Sequence, residues 1–333
     1  MSGVTIKDIA NEVGVSHPTV SKALAGMPGV NKETRKKILE TARRMNYVPN
    51  VAAQRLAKRK SRSIGFIWNS QENLFLYHLC NQLQKEAERK NIDLLITMSE
   101  PSKAVEDLYS HCVDYIFTFG NFSGVSEEKI SEYKKNGCGF MIVGGREISG
   151  IDNLVIDRTK GIYNTIEYLY NCGHKNIAFF GKETEKKYAF VSAVKEYGIF
   201  SENNVVYVEN DYYKDYKKYE EELLCKFSKL YNSADAPTAL LLDSQNLAMG
   251  FLNVFSKLKI SIPDDLSLIT YDDIPEYFMY PVKLTTVSPS FLKMAEIIIN
   301  KFEEHYGGNE NKNSTCKVVP ELTLRDSVKK IND

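Results

Sequence analysis

The sequence has few cysteines, a single tryptophan and no apolar run long enough to cross a bilayer. Its six cysteines are scattered and include no Cys-x-x-Cys pair, which predicts reduced thiols rather than a disulfide framework or a zinc site. The first residues lack the basic-then-apolar layout of a secretory signal peptide. We therefore expect a cytoplasmic protein that binds no metal and does not contact a membrane.

Motifs for the common catalytic chemistries are also missing. The sequence has no Gly-x-Ser-x-Gly, no Gly-x-Gly-x-x-Gly after a predicted strand, no P-loop and no His-Glu-x-x-His, and its five histidines show no partner spacing. The adjacent Asp272 and Asp273 resemble an acid-base pair, but neighbouring residues in a strand-end loop usually point apart. We expect a ligand-binding role for Asp272, a structural role for Asp273, and neither an enzyme nor a cofactor.

The net charge of zero hides a strong asymmetry along the chain. Residues 1–62 carry 13 Lys and Arg against 4 Asp and Glu, which leaves 30 against 39 in residues 63–333. A basic run is often only a solvated face. Here it coincides with a compact helical pattern, so it indicates a nucleic acid partner for the N-terminal part of the chain.

Residues 5–26, TIKDIANEVGVSHPTVSKALAG, predict two short helices joined by a tight turn. Apolar residues recur at helical spacing, Gly14 permits the turn, and Ser16 can cap the second helix. The segment NKETRKKILETARRM predicts a third helix with Asn31 as its cap. Residues 1–47 are therefore predicted to form a small all-α helix-turn-helix domain.

The second helix of such a domain enters the major groove of DNA, and its first turn meets the base edges. Pro18 is tolerated there because first-turn amides have no partner within the helix. Lys22 can donate to guanine, and His17 can donate or accept. The alternative is that this helix contacts another protein. The exposed candidates are His17, Pro18, Thr19, Ser21 and Lys22.

Residues 48–62 read as a hinge between this domain and the rest of the chain. Asn50 can cap a short helix with small and apolar faces, which would be too short to be stable without a partner. One interpretation is a flexible linker. The other is a segment that folds in the minor groove, with Leu56 inserted at a base step while Arg55, Lys58 and Arg59 hold phosphates.

Residues 63–330 alternate short apolar runs with helical stretches. The runs SIGFIW, DLLITM, YIFTFG, FMIVGG, NIAFFG, VVYV, ALLLD and LSLITY predict eight strands, and YHLCNQLQKEAER and GIYNTIEYLYNC predict helices. This alternation is typical of parallel sheets wound on both sides. We expect an α/β body of two doubly wound lobes, with a ligand cleft beyond the carboxyl ends of the strands.

Several long segments, in this order, carry a family resemblance: residues 5–26, VNKETRKKILETARRMNYVPNVAAQRLA, NCGHKNIAFFG, PTALLLDSQNLAMG, SIPDDLSLITYDDIP, LTTVSPS and PELTLRDS. Through them the chain resembles the LacI/GalR family of bacterial repressors over nearly its whole length. The resemblance implies a homodimer that binds a palindromic DNA operator and represses transcription. It also implies an effector-binding and dimerisation body that is similar to a periplasmic sugar-binding protein.

The resemblance also implies site residues. Lys22 stands where the family usually has arginine, so the forked donor for guanine is lost. Ala53 and Leu56 match the family's minor-groove pair, and Tyr47 and Asn50 its phosphate contacts. The implied DNA-binding residues are Thr5, Ser16, His17, Pro18, Thr19, Ser21, Lys22, Asn31, Tyr47, Asn50, Ala53 and Leu56.

The implied effector cleft contains aromatic, charged and polar candidates. Lys186 stands where sugar-binding members usually have arginine, Gly145 where they supply an aspartate, and Ser244-Gln245 where Asn-Asp is common; NLFL at 73–76 replaces the usual NPFF. These changes remove the forked donor and the paired acceptors that clamp sugar hydroxyls, so the resemblance does not specify a sugar effector. Another polar metabolite, a partner protein or no effector remain alternatives, and core packing is the alternative for each aromatic. The implied effector-binding residues are Phe75, Lys186, Tyr212, Ser244, Gln245 and Asp272.

We expect the chain to cross between lobes near Asp157, Thr286 and Val318. Lobe 1 then comprises about 63–157 and 287–317, and lobe 2 about 158–286 and 318–330. Two other functions compete with a regulator: a ligand-binding or transport protein, and a sugar-processing enzyme. The basic helical N-terminal domain argues against both.

Overall fold

The computed structural model describes residues 4–47, 61–68, 73–308 and 313–331. The chain forms two compact units, Met1–Lys60 and Ser61–Asp333. Each unit has apolar core clusters of its own.

Within residues 4–47, the first unit forms three helices: α1 Ile6–Val13, α2 His17–Leu24 and α3 Lys32–Arg44. Thr5 and Asp8 form a capping box at α1, and Gly14 ends that helix with a φ of 74°. The residues facing inward from all three helices build one core, which consists of Ile9, Ala10, Val20, Ala23, Ile38 and Ala42. The predicted helical pattern is thus present, and its apolar positions are the buried ones.

The second unit contains the strands and the remaining helices. The strands are β1 Ser63–Ile67, β2 Asp93–Thr97, β3 Tyr115–Phe119, β4 Gly139–Val143, β5 Asp152–Ile156, β6 Ile177–Gly181, β7 Val205–Tyr207, β8 Ala239–Leu242, β9 Ser267–Tyr271, β10 Thr285–Ser288, β11 Thr315–Val318 and β12 Glu321–Thr323. The helices are α4 Leu74–Arg89, α5 Pro101–Ser110, α6 Glu127–Lys135, α7 Arg158–Asn171, α8 Glu185–Glu196, α9 Tyr216–Tyr231, α10 Gln245–Leu258 and α11 Phe291–Tyr306.

The strands form two six-stranded sheets. The first has the order β11-β5-β4-β3-β1-β2 and is parallel throughout. The second has the order β12-β10-β9-β8-β6-β7 and is parallel except where β12 pairs with β10. Connecting parallel neighbours requires crossovers, which the helices supply.

Helices cover both faces of each sheet, which defines two lobes. In the first lobe α4 and α11 pack on one face, and α5 and α6 on the other. In the second lobe α9 and α10 pack on one face, and α7 and α8 on the other. The predicted fold class, a helical domain followed by two doubly wound lobes, is confirmed.

The chain passes between the lobes three times: between β5 and α7, between β10 and α11, and between β11 and β12. Neither lobe is therefore one continuous segment. Strand β10 runs to Ser288, two residues beyond the predicted end of its segment. None of the helices in the described ranges is both long and apolar enough to span a membrane.

Candidate functional site

Helix α2 has one buried face and one solvent face. Val20 and Ala23 are buried in the core of the first unit, whereas His17, Pro18 and Ser21 are exposed. Lys22 is exposed on the same side, one turn after Pro18. The four predicted base-contact residues on this side therefore share a single helix face that is free to approach a partner.

Two other predicted residues use their hydroxyl groups within the unit. The Ser16 side chain accepts a hydrogen bond from the Thr19 amide at 3.4 Å and lies 2.8 Å from the Thr19 hydroxyl. The Thr5 hydroxyl donates to the Asp8 carboxylate at 2.7 Å. These bonds fix the beginnings of α2 and α1, so they hold the exposed face of α2 in place.

The remaining predicted DNA contacts divide into two groups. Asn31 caps α3 by accepting from the Glu33 amide at 2.9 Å, and Tyr47 is half-buried against the core. Asn50, Ala53 and Leu56 lie outside the described residues, as does the rest of segment 48–60.

Three of the predicted effector residues line one cavity of about 230 Å³ in the second lobe: Lys186, Tyr212 and Ser244. This cavity lies at the carboxyl ends of β6 and β8, where ligands bind in sheets of this kind. Gln245 is next to it, at the first position of α10, and is 2% exposed. Four of the six predicted effector residues therefore lie at or beside this cavity.

Phe75 is the exception. Its side chain is 4% exposed and belongs to the core of the first lobe. Its ring lies 5.8 Å from that of Phe119 and 4.9 Å from that of Phe291. Phe75 therefore packs inside one lobe and does not line the cavity in the other.

Charged groups of both signs meet beside this cavity. The Lys186 ammonium donates to the Asp243 carbonyl and lies 4.4 Å from the centre of the Tyr271 ring. Asp243 also accepts from the Lys182 amide at 2.8 Å. Burial raises the pKa of Asp272 to about 6; the Lys186 charge opposes this and the Asp243 charge adds to it. Asp272 has a φ of 70°, a backbone conformation that aspartate tolerates better than most residues.

Three buried polar atoms near the cavity have no hydrogen-bond partner among the described residues: Thr184 Oγ1, Gln245 Oε1 and Asn246 Oδ1. The two amide oxygens are acceptors, and unpaired buried acceptors are costly. A ligand that supplies donors would satisfy them.

A larger cavity of about 990 Å³ lies where the chain first crosses between lobes. Sequence reasoning missed its charged residues. Arg158 follows the crossing directly; it donates to the Gly144 carbonyl at 3.0 Å and lies 3.6 Å from the Glu185 carboxylate. At Gly145 a Cβ atom would sit 1.9 Å from the Gly120 carbonyl oxygen. This position therefore lacks an aspartate and also lacks the space for one.

The lobes also contact each other directly. The Asn73 side-chain oxygen accepts from Gln245 Nε2 at 3.2 Å, and Leu74 packs against the core of the second lobe. His78 on α4 lies 2.9 Å from the Glu276 carboxylate. Asp273 pairs with Arg325 at 2.8 Å within the second lobe, which gives it a structural partner.

Two family models match the chain. The model described as bacterial regulatory proteins of the lacI family matches residues 5–50. The model of a periplasmic binding protein-like domain matches residues 166–328.

Curated relatives span the full chain at moderate identity. The catabolite control protein A of Priestia megaterium is 26% identical and aligns over 98% of this chain and 99% of its own length. The transcriptional repressor PurR of Mannheimia succiniciproducens is also 26% identical, with the same coverage. These relatives are named as regulators and not as enzymes.

Solved structures share the fold. The Lac repressor dimer bound to its operator and the anti-inducer ONPF matches with a TM-score of 0.80 and 19% identity, over 98% of this chain and 100% of that chain. A LacI family regulator from Enterococcus faecium with bound ribose matches with a TM-score of 0.68 and 21% identity, over 81% of this chain and 100% of that chain.

Proposed function

The chain belongs to the LacI family of bacterial regulatory proteins, as the sequence resemblance predicts, and we propose a mechanism for it in which α2 reads operator DNA and the body senses a small molecule. It is a DNA-binding transcriptional regulator rather than an enzyme. It acts as a repressor and binds a palindromic operator as a homodimer. Its site of action is the cytoplasm, where bacterial DNA is found.

The exposed face of α2 is the observation that carries this proposal. Its base-reading side chains are His17, Ser21 and Lys22, on a domain with a strong excess of positive charge. Positive charge attracts the duplex without regard to sequence, and side chains in the groove discriminate between bases. Lys22 lacks the fork of arginine, so it contributes one point-charge contact to guanine rather than a bidentate pair.

In the homodimer, two helix-turn-helix domains and two predicted hinges act together on one operator. Half-sites of a palindrome then match the two-fold symmetry of the dimer. Ala53 and Leu56 serve as the minor-groove pair, with Leu56 inserted at a base step. Binding of an effector changes how the two hinges are held, so the affinities for effector and operator depend on each other.

The effector is a small polar metabolite with hydrogen-bond donors. The cavity beside Lys186, Ser244 and Asp272 has room for a ligand of about monosaccharide size, and the unpaired acceptors of Gln245 and Asn246 favour hydroxyl or amino groups. Tyr212 provides an apolar wall. Ribose occupies the regulator from Enterococcus faecium, which supports a ligand of this class.

The test is to select bound sequences from a pool of random duplexes and to measure affinity for the selected site. A palindrome with two half-sites is expected. Lys22→Ala should weaken binding to this site by about 2- to 10-fold per half-site, the range for one hydrogen bond, and relax the preference at one base pair in each half-site. Lys36→Ala, which removes an equal charge from α3, should leave the base preference unchanged. Equal, weak and salt-sensitive binding to every duplex would refute the proposal.

A further inference from the structure

The body begins with a segment that is tied firmly to the first lobe. The Asp114 carboxylate is buried and accepts from the Ser61 amide at 3.0 Å, the Ser61 hydroxyl at 3.1 Å and the Ser63 amide at 3.0 Å. The Ser61 hydroxyl also lies 2.7 Å from the Cys112 carbonyl oxygen, and this oxygen and Asp114 share its single proton. The chain therefore leaves the predicted hinge at a fixed point on this lobe.

Arg62, the last residue of that basic hinge, is directed to the body. Its guanidinium donates to the Lys90 carbonyl at 2.9 Å and to the Glu303 carboxylate at 2.5 Å, and it lies 5.2 Å from the centre of the Tyr306 ring. Its φ is 53°, a conformation that non-glycine residues adopt only when their surroundings hold them there. This cation is thus engaged by three groups of the first lobe.

The partner of Arg62 lies on a helix that reaches the junction of the lobes. Glu303 is near the C-terminal end of α11, which is 16 residues and thus about 24 Å long. The first residue of α11 is Phe291, whose ring lies 4.9 Å from Phe75 and 6.0 Å from His78. A single rigid element therefore connects the lobe junction to the end of the hinge.

We propose that Arg62 and Glu303 are positioning residues for DNA binding: their ion pair anchors the end of the hinge to α11 and so holds the hinge where it can engage the operator. This inference rests on the proposed function, and it assigns Arg62 to the body rather than to the DNA phosphates. The anchor links Arg62, the last residue of the predicted hinge, to α11, whose first residue Phe291 packs against Phe75 and His78.

The experiment compares Arg62→Met, Glu303→Gln and the double variant with the wild type. Affinity is measured for the selected operator and for a random duplex over a series of salt concentrations. Glu303→Gln should lose about 5- to 20-fold in operator affinity, and Arg62→Met should lose at least as much, because it also removes the contacts to the Lys90 carbonyl and the Tyr306 ring. The double variant should lose no more than Arg62→Met, because the ion pair is already absent in that variant. Random-duplex affinity and the salt slope should not change. The melting temperature of the body should change little in Glu303→Gln, because the paired side chains are 33% and 32% exposed and a solvent-accessible ion pair stabilises the fold only weakly.

Glu304→Gln is the matched control, since it removes the same charge from the neighbouring residue, which pairs with Lys301 on the same helix. It should leave operator affinity unchanged. If Arg62 instead contacted a phosphate, Arg62→Met would lower the salt slope by about 1.8, about 0.9 for each protomer of the dimer, and weaken binding to both duplexes, while Glu303→Gln would not. That result, or unchanged operator affinity in all variants, would overturn the anchor alone. A wild type without any preferred duplex would overturn the proposed function and the anchor with it.

Discussion

Replacing Ile38 with alanine should unfold the first unit while the second unit stays folded. Ile38 is completely buried in α3 and packs with Ile9 and Val20, which are also completely buried. Truncating such a side chain costs about 2–5 kcal/mol. A domain this small rarely gains more than about 3–5 kcal/mol from its core, so the substitution removes most or all of the stability.

A smaller truncation at the same site, Ile38→Val, tests whether the loss of stability depends on the volume removed. Ile38→Val costs about 0.5–1.5 kcal/mol, so the unit should remain folded at 25 °C with a lower melting temperature. Leu39→Ala is the control on the same helix, because Leu39 is 38% exposed and its truncation leaves no cavity. In scanning calorimetry, the unfolding transition of the first unit should be missing in Ile38→Ala and present in the other proteins. The transition of the body should be the same in all four proteins, since the two units have separate cores.

Operator affinity is the functional measurement. Ile38→Ala should lose selective binding, Ile38→Val should retain it at 25 °C, and Leu39→Ala should match the wild type. Wild-type operator affinity and an unchanged first transition in Ile38→Ala would show that the three-helix core does not determine the stability of this unit. A simultaneous loss of the second transition would show that the units do not fold independently.

Three further predictions concern the body. Burial lowers the pKa of His174, so the stability that its neutral form contributes is complete above pH 6.5 and is lost as the pH falls below that value. Between pH 7.5 and pH 5.5, the melting temperature of the body should therefore fall less in His174→Asn than in the wild type. Burial raises the pKa of Asp272 to about 6, so its ionisation destabilises the fold increasingly between pH 3.8 and about 6 and fully above that; Asp272→Asn should therefore stabilise the body clearly at pH 8 and much less at pH 4 in urea titrations. Gln245→Ala should enlarge the radius of gyration in X-ray scattering by loosening the contact to Asn73, whereas the exposed Gln84→Ala should not.

The sequence predicts the centre of each sheet better than its margins. The eight apolar runs correspond to β1–β4 and β6–β9, which include most of the inner strands. Strands β11 and β12 are short edge strands with polar residues, so no apolar run marks them. Strand β10 is an inner strand, but it contains Thr285 and Thr286, which are completely buried. A buried threonine is indistinguishable from a loop threonine in a single sequence, because only the fold supplies its partners.

The candidate site shows a similar division. Residues that follow a strand, such as Ser244 and Asp272, could be placed at the cleft because the ends of parallel strands meet at one edge. Phe75 could not, because an aromatic residue at the start of a helix suits a lobe core as well as a ligand wall. The reason why position 145 is a glycine also becomes visible only in the structure. The Gly120 carbonyl oxygen occupies the space that a side chain would need, and Gly120 is 25 residues away in the chain.

The contact between Asn73 and Gln245 links local helix stability to the arrangement of the lobes. The Asn73 side-chain oxygen accepts from the Leu76 amide at 3.2 Å, which caps α4, and also from Gln245 at the same distance. When the lobes separate, the cap remains but the Gln245 amide becomes free to bind a ligand or water. A ligand that accepts from Gln245 Nε2 would replace Asn73 and favour the open arrangement, whereas a ligand that donates to the unpaired Gln245 Oε1 leaves the Asn73 contact in place. The same separation moves Leu74 out of the second lobe and exposes apolar surface, which opposes opening. Whether the effector opens or closes the body therefore depends on which is larger, the free energy of the ligand contact with Gln245 or the cost of exposing Leu74.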